Sequence, residues 1–178
     1  MKPVRQQNTH IDSIDRRLLD LLQGDARASY AELGAAVGLS VSAVNERIRK
    51  LVARGAIRSF SACVDPHTVG MRLAAFVHVL LERPAHERRF LAAIAALPAV
   101  QECHHVTGAW SYLLKVRVPG AAELEALLAA LKVLPGVART ETHIALSSPK
   151  ESARIVCADG AALRRPRRLS ASAVRASR

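Results

Sequence analysis

The chain has 178 residues, half of them hydrophobic and 3% aromatic, which suits one medium or two small aliphatic-cored domains and argues against a disordered chain. Its net charge of +11 points to a polyanionic partner, nucleic acid before an anionic membrane surface. Three scattered cysteines, no apolar run near the ~18 residues of a membrane span and no apolar signal core predict a soluble, reduced, cytoplasmic protein.

Residues 1–10 read as an arm. In "IDSIDRRLLDLLQGD", Ile14, Leu18, Leu21 and Leu22 recur at helical spacing, with Asp12 and Asp15 at the start and Gly24 at the stop. A second helix opens at Ser29, where Glu32 completes a capping box, and halts at Gly38. Ser40 caps a third, with the apolar stripe Val44, Ile48 and Leu51 and a stop at Gly55. Gly34 is small where the third helix must cross close, Gly38 permits the tight reversal, and Val44 lies six residues beyond it. In register with capped helices, these features predict a helix-turn-helix over residues 11–60 rather than a generic basic three-helix bundle.

With that stripe inward, the first two turns of the third helix expose Ser42, Ala43, Asn45 and Glu46 to a major groove. Asn pairs with adenine, Glu accepts from cytosine, and a methyl meets thymine. Glu46 would otherwise repel phosphates, so it either reads a base or pairs with Arg49 or Lys50, the pairing being slightly favoured. Arg47, Arg49 and Lys50 suit phosphates or guanine, Ser40 stands at the helix start, and Arg58 is available to the backbone. "AIRSFSACVDP" reads as a strand or wing ending at Pro66, so that residues 61–70 form a linker strand and hinge with "HTVG".

Residues 71–150 carry strand-, helix- and strand-like stretches twice, with "LPAV" at 97–100 echoed by "LPGV" at 134–137. This βαββαβ order predicts a ferredoxin-like α+β sandwich, its antiparallel sheet covered by helices on one face. Ala75, Val77 and Val79 with Leu113, Lys115 and Arg117 are expected on the other face, pairing with another subunit. A homodimer also suits two reading heads about one DNA turn apart.

The stretches "IDRRLLDLLQGDAR", "ELGAAVGLS", "ERIRKLVARGAI", "VQECHHVTG" and "YLLKVRV" resemble the leucine-responsive/asparagine-operon (Lrp/AsnC, feast/famine) regulators over roughly residues 11–150. The resemblance implies a winged or plain helix-turn-helix for DNA, then a domain that binds amino acids between subunits and forms dimers, tetramers or octamers. Arg47 falls on the arginine usual in the family's reading helix. Glu46 falls where enteric members often carry a basic residue, so their operator preference does not transfer.

One departure bears on the effector. The family typically reads Gly-Asp-x-Asp-Tyr between the second and third strands of this domain; here "GAWSY" keeps Gly108 and Tyr112 but has Ala109 and Ser111. Alanine cannot hold an ammonium group and serine offers only a neutral hydroxyl. The effector is then not an ordinary amino acid, or none is sensed, or other residues take over. The candidate effector set is Thr107, Gly108, Ala109, Trp110, Ser111, Tyr112 and Thr142, with His143 near it. In "ECHHV", Cys103 and His105 share one strand face and His104 the other, so no metal site is expected.

From Glu151 onward seven arginines stand against two acids, an aperiodic basic tail (151–178) predicted to be disordered and to favour DNA electrostatically. The leading reading is a sequence-specific transcription regulator, not an enzyme, with no cofactor, acting at the nucleoid. Two alternatives are a nucleoid-type architectural protein and, from relatives of the fold, a sirohaem decarboxylase-like enzyme in which His104 or His105 contacts the tetrapyrrole.

Overall fold

The computed structural model describes residues 11–157; the arm over residues 1–10 and the tail from residue 158 lie outside them. The described chain forms two compact units, one of residues 11–62 with 152–157, the other Cys63–Glu151.

In the first unit, helix α1 spans Ser13–Gly24, α2 Tyr30–Val37 and α3 Val41–Ala53. Their starts are set by side chains that satisfy the first backbone N–H groups: Asp12 accepts from Asp15, Ser29 from Glu32 in a complete capping box, and Ser40 from Ala43. Leu18, Leu22, Leu33, Val44 and Ile48 close the core. Gly34 is required by contact, because a Cβ there would stand 2.5 Å from the Leu39 carbonyl oxygen. Gly38 ends α2 in the left-handed region at φ 71°, and its N–H returns to the Gly34 carbonyl.

The expected wing is absent: residues 56–66 form no strand, and of them only Ile57 and Pro66 are half-buried. No strand among the described residues pairs with it, and apart from Ile57, which packs on the first core, it buries little, so nothing described holds it in a ladder. Instead Asp65 organises a turn at Pro66–Gly70, accepting from the backbone of His67 and Thr68 and from the Thr68 hydroxyl.

In the second unit, strand β1 covers Leu73–Leu81, helix α4 Glu87–Ala95 behind one 3-10 turn, β2 Val100–His105, β3 Tyr112–Val118, α5 Ala121–Lys132 and β4 Val137–Ile144. The sheet order is β2-β3-β1-β4, antiparallel throughout. Ala75, Val77, Val79, Leu114 and Val116 are fully buried in one core with Phe90, Ile94, Leu124, Leu127 and Leu131 of the helices. This corrects the sequence reading of β1: Ala75, Val77 and Val79 face the helices. Ala74, Phe76 and His78 face outward, across from Arg117, Lys115 and Leu113. Those three β3 residues do lie on the open face.

Candidate nucleic-acid interface and effector turn

Burial of Val44, Ile48 and Leu51 fixes the rotation of α3, so Ser42, Asn45, Glu46, Arg49 and Lys50 are all exposed, with Ala43 half-buried. Ser40 holds the helix start, its Oγ accepting from Ala43 N–H at 3.3 Å and lying 3.0 Å from the Ser42 Oγ. Lys50 meets Glu46 at 2.6 Å one turn away, and that pairing lowers the Glu46 carboxyl below its ordinary range. Glu46 is therefore one half of an exposed ion pair, not a bare carboxylate. Asn45, Arg49 and the exposed Arg58 make no hydrogen bond or ion pair among the described residues.

Arg47 is placed differently. Its NH1 donates to Asp12 at 2.7 Å and to Asp15 at 2.8 Å, joining the start of α1 to the middle of α3. Hydrogen bonds to the two carboxylates, Asp12 first, hold the guanidinium above its usual value. The Asp12 carboxyl is lowered, first by the Asp15 N–H and then by Arg47. The arrangement makes Arg47 a fixture of helix packing beside a row of outward-facing donors.

The turn between β2 and β3 is tied down by its own polar groups. Ser111 N–H donates to the Val79 carbonyl, its carbonyl accepts from Val106, and its hydroxyl accepts from Leu81 N–H at 3.1 Å. Tyr112 is buried; its hydroxyl donates to Glu87 at the start of α4, and its ring stacks on His105 at 5.0 Å and packs on Phe90. Burial, then the Glu87 carboxylate, pushes that hydroxyl up to about 12. Thr107, Gly108 and Ala109 are exposed at the tip. Thr142, paired with Val77, lies on the helix-facing side of the sheet.

Trp110 turns onto the open face. Its ring lies 5.6 Å from His78, whose ring meets His143 edge-on at 5.4 Å, and the Arg139 guanidinium stands 5.0 Å over the indole. Arg139 and His143 each reach Glu141 at 3.4 Å. Sequence reasoning found Trp110 and His143 but missed His78, Arg139 and Glu141. The signal was available in strand pairing, since the register opposes His78 to Glu141 and Phe76 to His143. His78 Nδ1 is buried without a hydrogen-bond partner among the described residues.

Further along the same face, Glu102 meets His104 and Lys115, and Glu151 meets Lys115 at 2.9 Å and Arg117 through both carboxylate oxygens at 2.7 and 2.9 Å. Desolvation alone raises the half-buried Cys103 thiol. Among the described residues no three His, Cys, Asp or Glu side chains gather as metal ligands, and no helix is long and apolar enough to cross a membrane.

Residues 11–52 match the AsnC-type helix-turn-helix domain and residues 74–155 the Lrp/AsnC ligand binding domain. The leucine-responsive regulatory protein of Salmonella typhimurium is 41% identical over 149 residues, spanning 82% of this chain and 91% of its own. Its Escherichia coli K12 namesake is 40% identical with the same coverage. Among solved structures, a feast or famine regulatory protein from M. tuberculosis complexed with L-methionine aligns with TM-score 0.77 and 37% identity, over 82% of this chain and 99% of that one. A transcriptional regulator from Neisseria meningitidis, in complex with L-Met, aligns with TM-score 0.77 and 27% identity over 81% of this chain and 95% of that one. With both domains matched in order and close relatives over most of its length, the chain belongs to the Lrp/AsnC family of DNA-binding transcriptional regulators.

Proposed function

We propose that this regulator reads duplex DNA with the outward face of α3, Ser42, Ala43 and Asn45 toward base edges and Arg49, Lys50 and Arg58 toward phosphates. The observation that carries the reading is the division of labour on α3. Asn45 and Arg49 are exposed and unpaired, while Arg47 locks the helix against α1. Ser40 serves this face by capping the helix, and Glu46 by orienting Lys50. The protein works in the cytoplasm at the nucleoid, as a homodimer that assembles to tetramers or octamers, its protomers pairing through the open sheet face. Its relatives are named regulatory proteins, which supports a non-catalytic role over a tetrapyrrole enzyme.

The effector is amino-acid-like and binds between subunits beside Trp110. Complexes of two structural neighbours with L-methionine support that class. In this chain the turn contributes no carboxylate, and the Ser111 hydroxyl accepts from Leu81. Glu141 pairs with His143 and with Arg139, the residue that stands over Trp110, and is the group offered to a ligand ammonium.

The test is a titration of the purified chain against the duplex upstream of its own gene and a shuffled duplex, at two salt concentrations, with and without an amino-acid mixture. Preference for the native duplex that shifts with the mixture is the expected result. Equal affinity for both duplexes would return the architectural reading.

A further inference from the structure

The second unit carries a groove of about 390 Å³, a size that suits a small molecule. All its lining residues fall within Cys63–Glu151, and none belongs to the Trp110 turn or to β4. One wall comes from the turn that Asp65 organises, where Met71 N–H donates to the Pro66 carbonyl at 2.8 Å. Val64, Val69 and Met71 line it although each is large, apolar and at least 39% exposed. Scattered singly, such side chains are ordinary surface; gathered around one hollow, they are apolar area that a ligand can take out of water. Buried Val118 adds to this lining, and Pro66, Pro98 and Pro119, with their fixed φ, hold its shape before anything binds.

Arg117 is the one cation of the lining. Its side chain is 7% exposed, and its backbone N–H donates to the Ala99 carbonyl at 2.9 Å. Glu151 engages NH2 alone. Nε and NH1 have no hydrogen-bond partner among the described residues, yet neither is fully sealed from solvent. Guanidinium donors this far removed from bulk water gain more from a charged acceptor than exposed ones do. Glu123, the one acid of the lining, is turned back to the start of α5, its Oε2 3.3 Å from where a Cβ on Gly120 would stand. There it complements the positive end of the helix.

We propose that this groove binds a small aliphatic carboxylate, with the carboxylate on Nε and NH1 of Arg117 and the branched hydrocarbon body against Val69, Met71 and Val118. An inorganic anion would meet the cation but leave the apolar wall in water. An alcohol would cover the wall but bring no charge to the guanidinium. The site calls for no ammonium group, since Glu123 serves the helix end. In place and in ligand class it is separate from the effector site beside Trp110.

The experiment is equilibrium dialysis of the full-length chain against labelled 3-methylbutanoate, with the unlabelled acid, acetate, 3-methylbutanol and an amino-acid mixture as competitors. Saturable binding displaced by the unlabelled acid is expected. Acetate and 3-methylbutanol each lack half of the contact and are expected to compete at least about tenfold less well. The amino-acid mixture is expected not to displace the probe. Arg117→Gln is expected to weaken binding at least about tenfold. That change also unpairs part of Glu151, so Val69→Asp, at an exposed position, serves as an independent variant with the same expected loss. Absence of saturable binding, or parental affinity in either variant, would overturn the proposal. Equal competition by acetate would mean that a basic chain merely collects anions, and equal competition by 3-methylbutanol that Arg117 takes no part. Displacement by the amino-acid mixture would put the probe in the effector site. A Val69→Asp chain that sediments as a smaller species would make the groove a joint between copies instead.

Discussion

Asn45 and Arg47 are near neighbours on α3 and face different surroundings. Asn45 is exposed, whereas the Arg47 guanidinium lies across the start of α1 between Asp12 and the buried Asp15. Removing Arg47 leaves Asp15 without its charge partner in a site of 9% side-chain exposure. After discounting for the partial exposure of Arg47 and Asp12, Arg47→Ala is expected to cost about 1–2 kcal/mol in urea unfolding without DNA. A variant of parental stability that has lost only DNA affinity would make Arg47 a direct contact instead. The pH dependence has a definite sign. Asp12 titrates below its unfolded value, so its contribution is present above that value and fades as pH falls through the folded one. The stability gap between parent and Arg47→Ala is therefore expected to narrow below about pH 4, measured by urea midpoints across that range. Helical periodicity places Arg47 beside the other cations of α3, but its acidic partners are 32 and 35 residues away in sequence, and no local pattern reveals them. On the effector side, Glu141→Gln is expected to abolish the shift in DNA affinity caused by an amino-acid mixture while leaving affinity without the mixture at the parent level. A retained shift would remove Glu141 from the ammonium site.

Helices are legible element by element because their signals are local. Ser29 with Glu32, Ser40, Gly38 and the stripe Val44, Ile48 and Leu51 each act within a turn or two of chain, and the structure places all of them as read. Gly34 carries longer-range information: its lack of a Cβ lets the Leu39 carbonyl approach α2. Gly34→Ala is accordingly expected to destabilise the first unit by roughly 1–3 kcal/mol, seen as a lower unfolding midpoint. An unchanged midpoint would mean that α2 and α3 can separate at no cost. Strands are harder. In β1, "LAAFVHVLL", both alternating sets are apolar except at His78, so the run fits either face. The set expected outward is the buried one, although His78, the single polar residue of the strand, marks the open side. The stretch after α3 misleads for another reason: its residues are individually compatible with a strand, but nothing in the described chain pairs with them.

Across the whole molecule, the order of two matched domains is readable from sequence, as is the βαββαβ arrangement of the second. The surroundings of Trp110 are only partly so, since Trp110, His78 and Arg139 come from a turn and two different strands and meet only through sheet register. Assembly belongs to this scale. Phe76 is 39% exposed in the centre of the open face, opposite Lys115 and His143. If protomers pair through that face, Phe76→Glu sets a carboxylate in the joint and is expected to shift sedimentation toward the monomer and weaken operator binding at least tenfold, on the order of 1.4 kcal/mol. A Phe76→Glu chain that sediments like the parent would place the interface elsewhere.

Base reading by the exposed face of α3 is put to the test by Asn45→Ala titrated in parallel with the parent on the native and shuffled duplexes. The expected result is a loss of roughly 1–3 kcal/mol on the native duplex and little change on the shuffled one, with the salt slope preserved. An equal loss on both duplexes would contradict it.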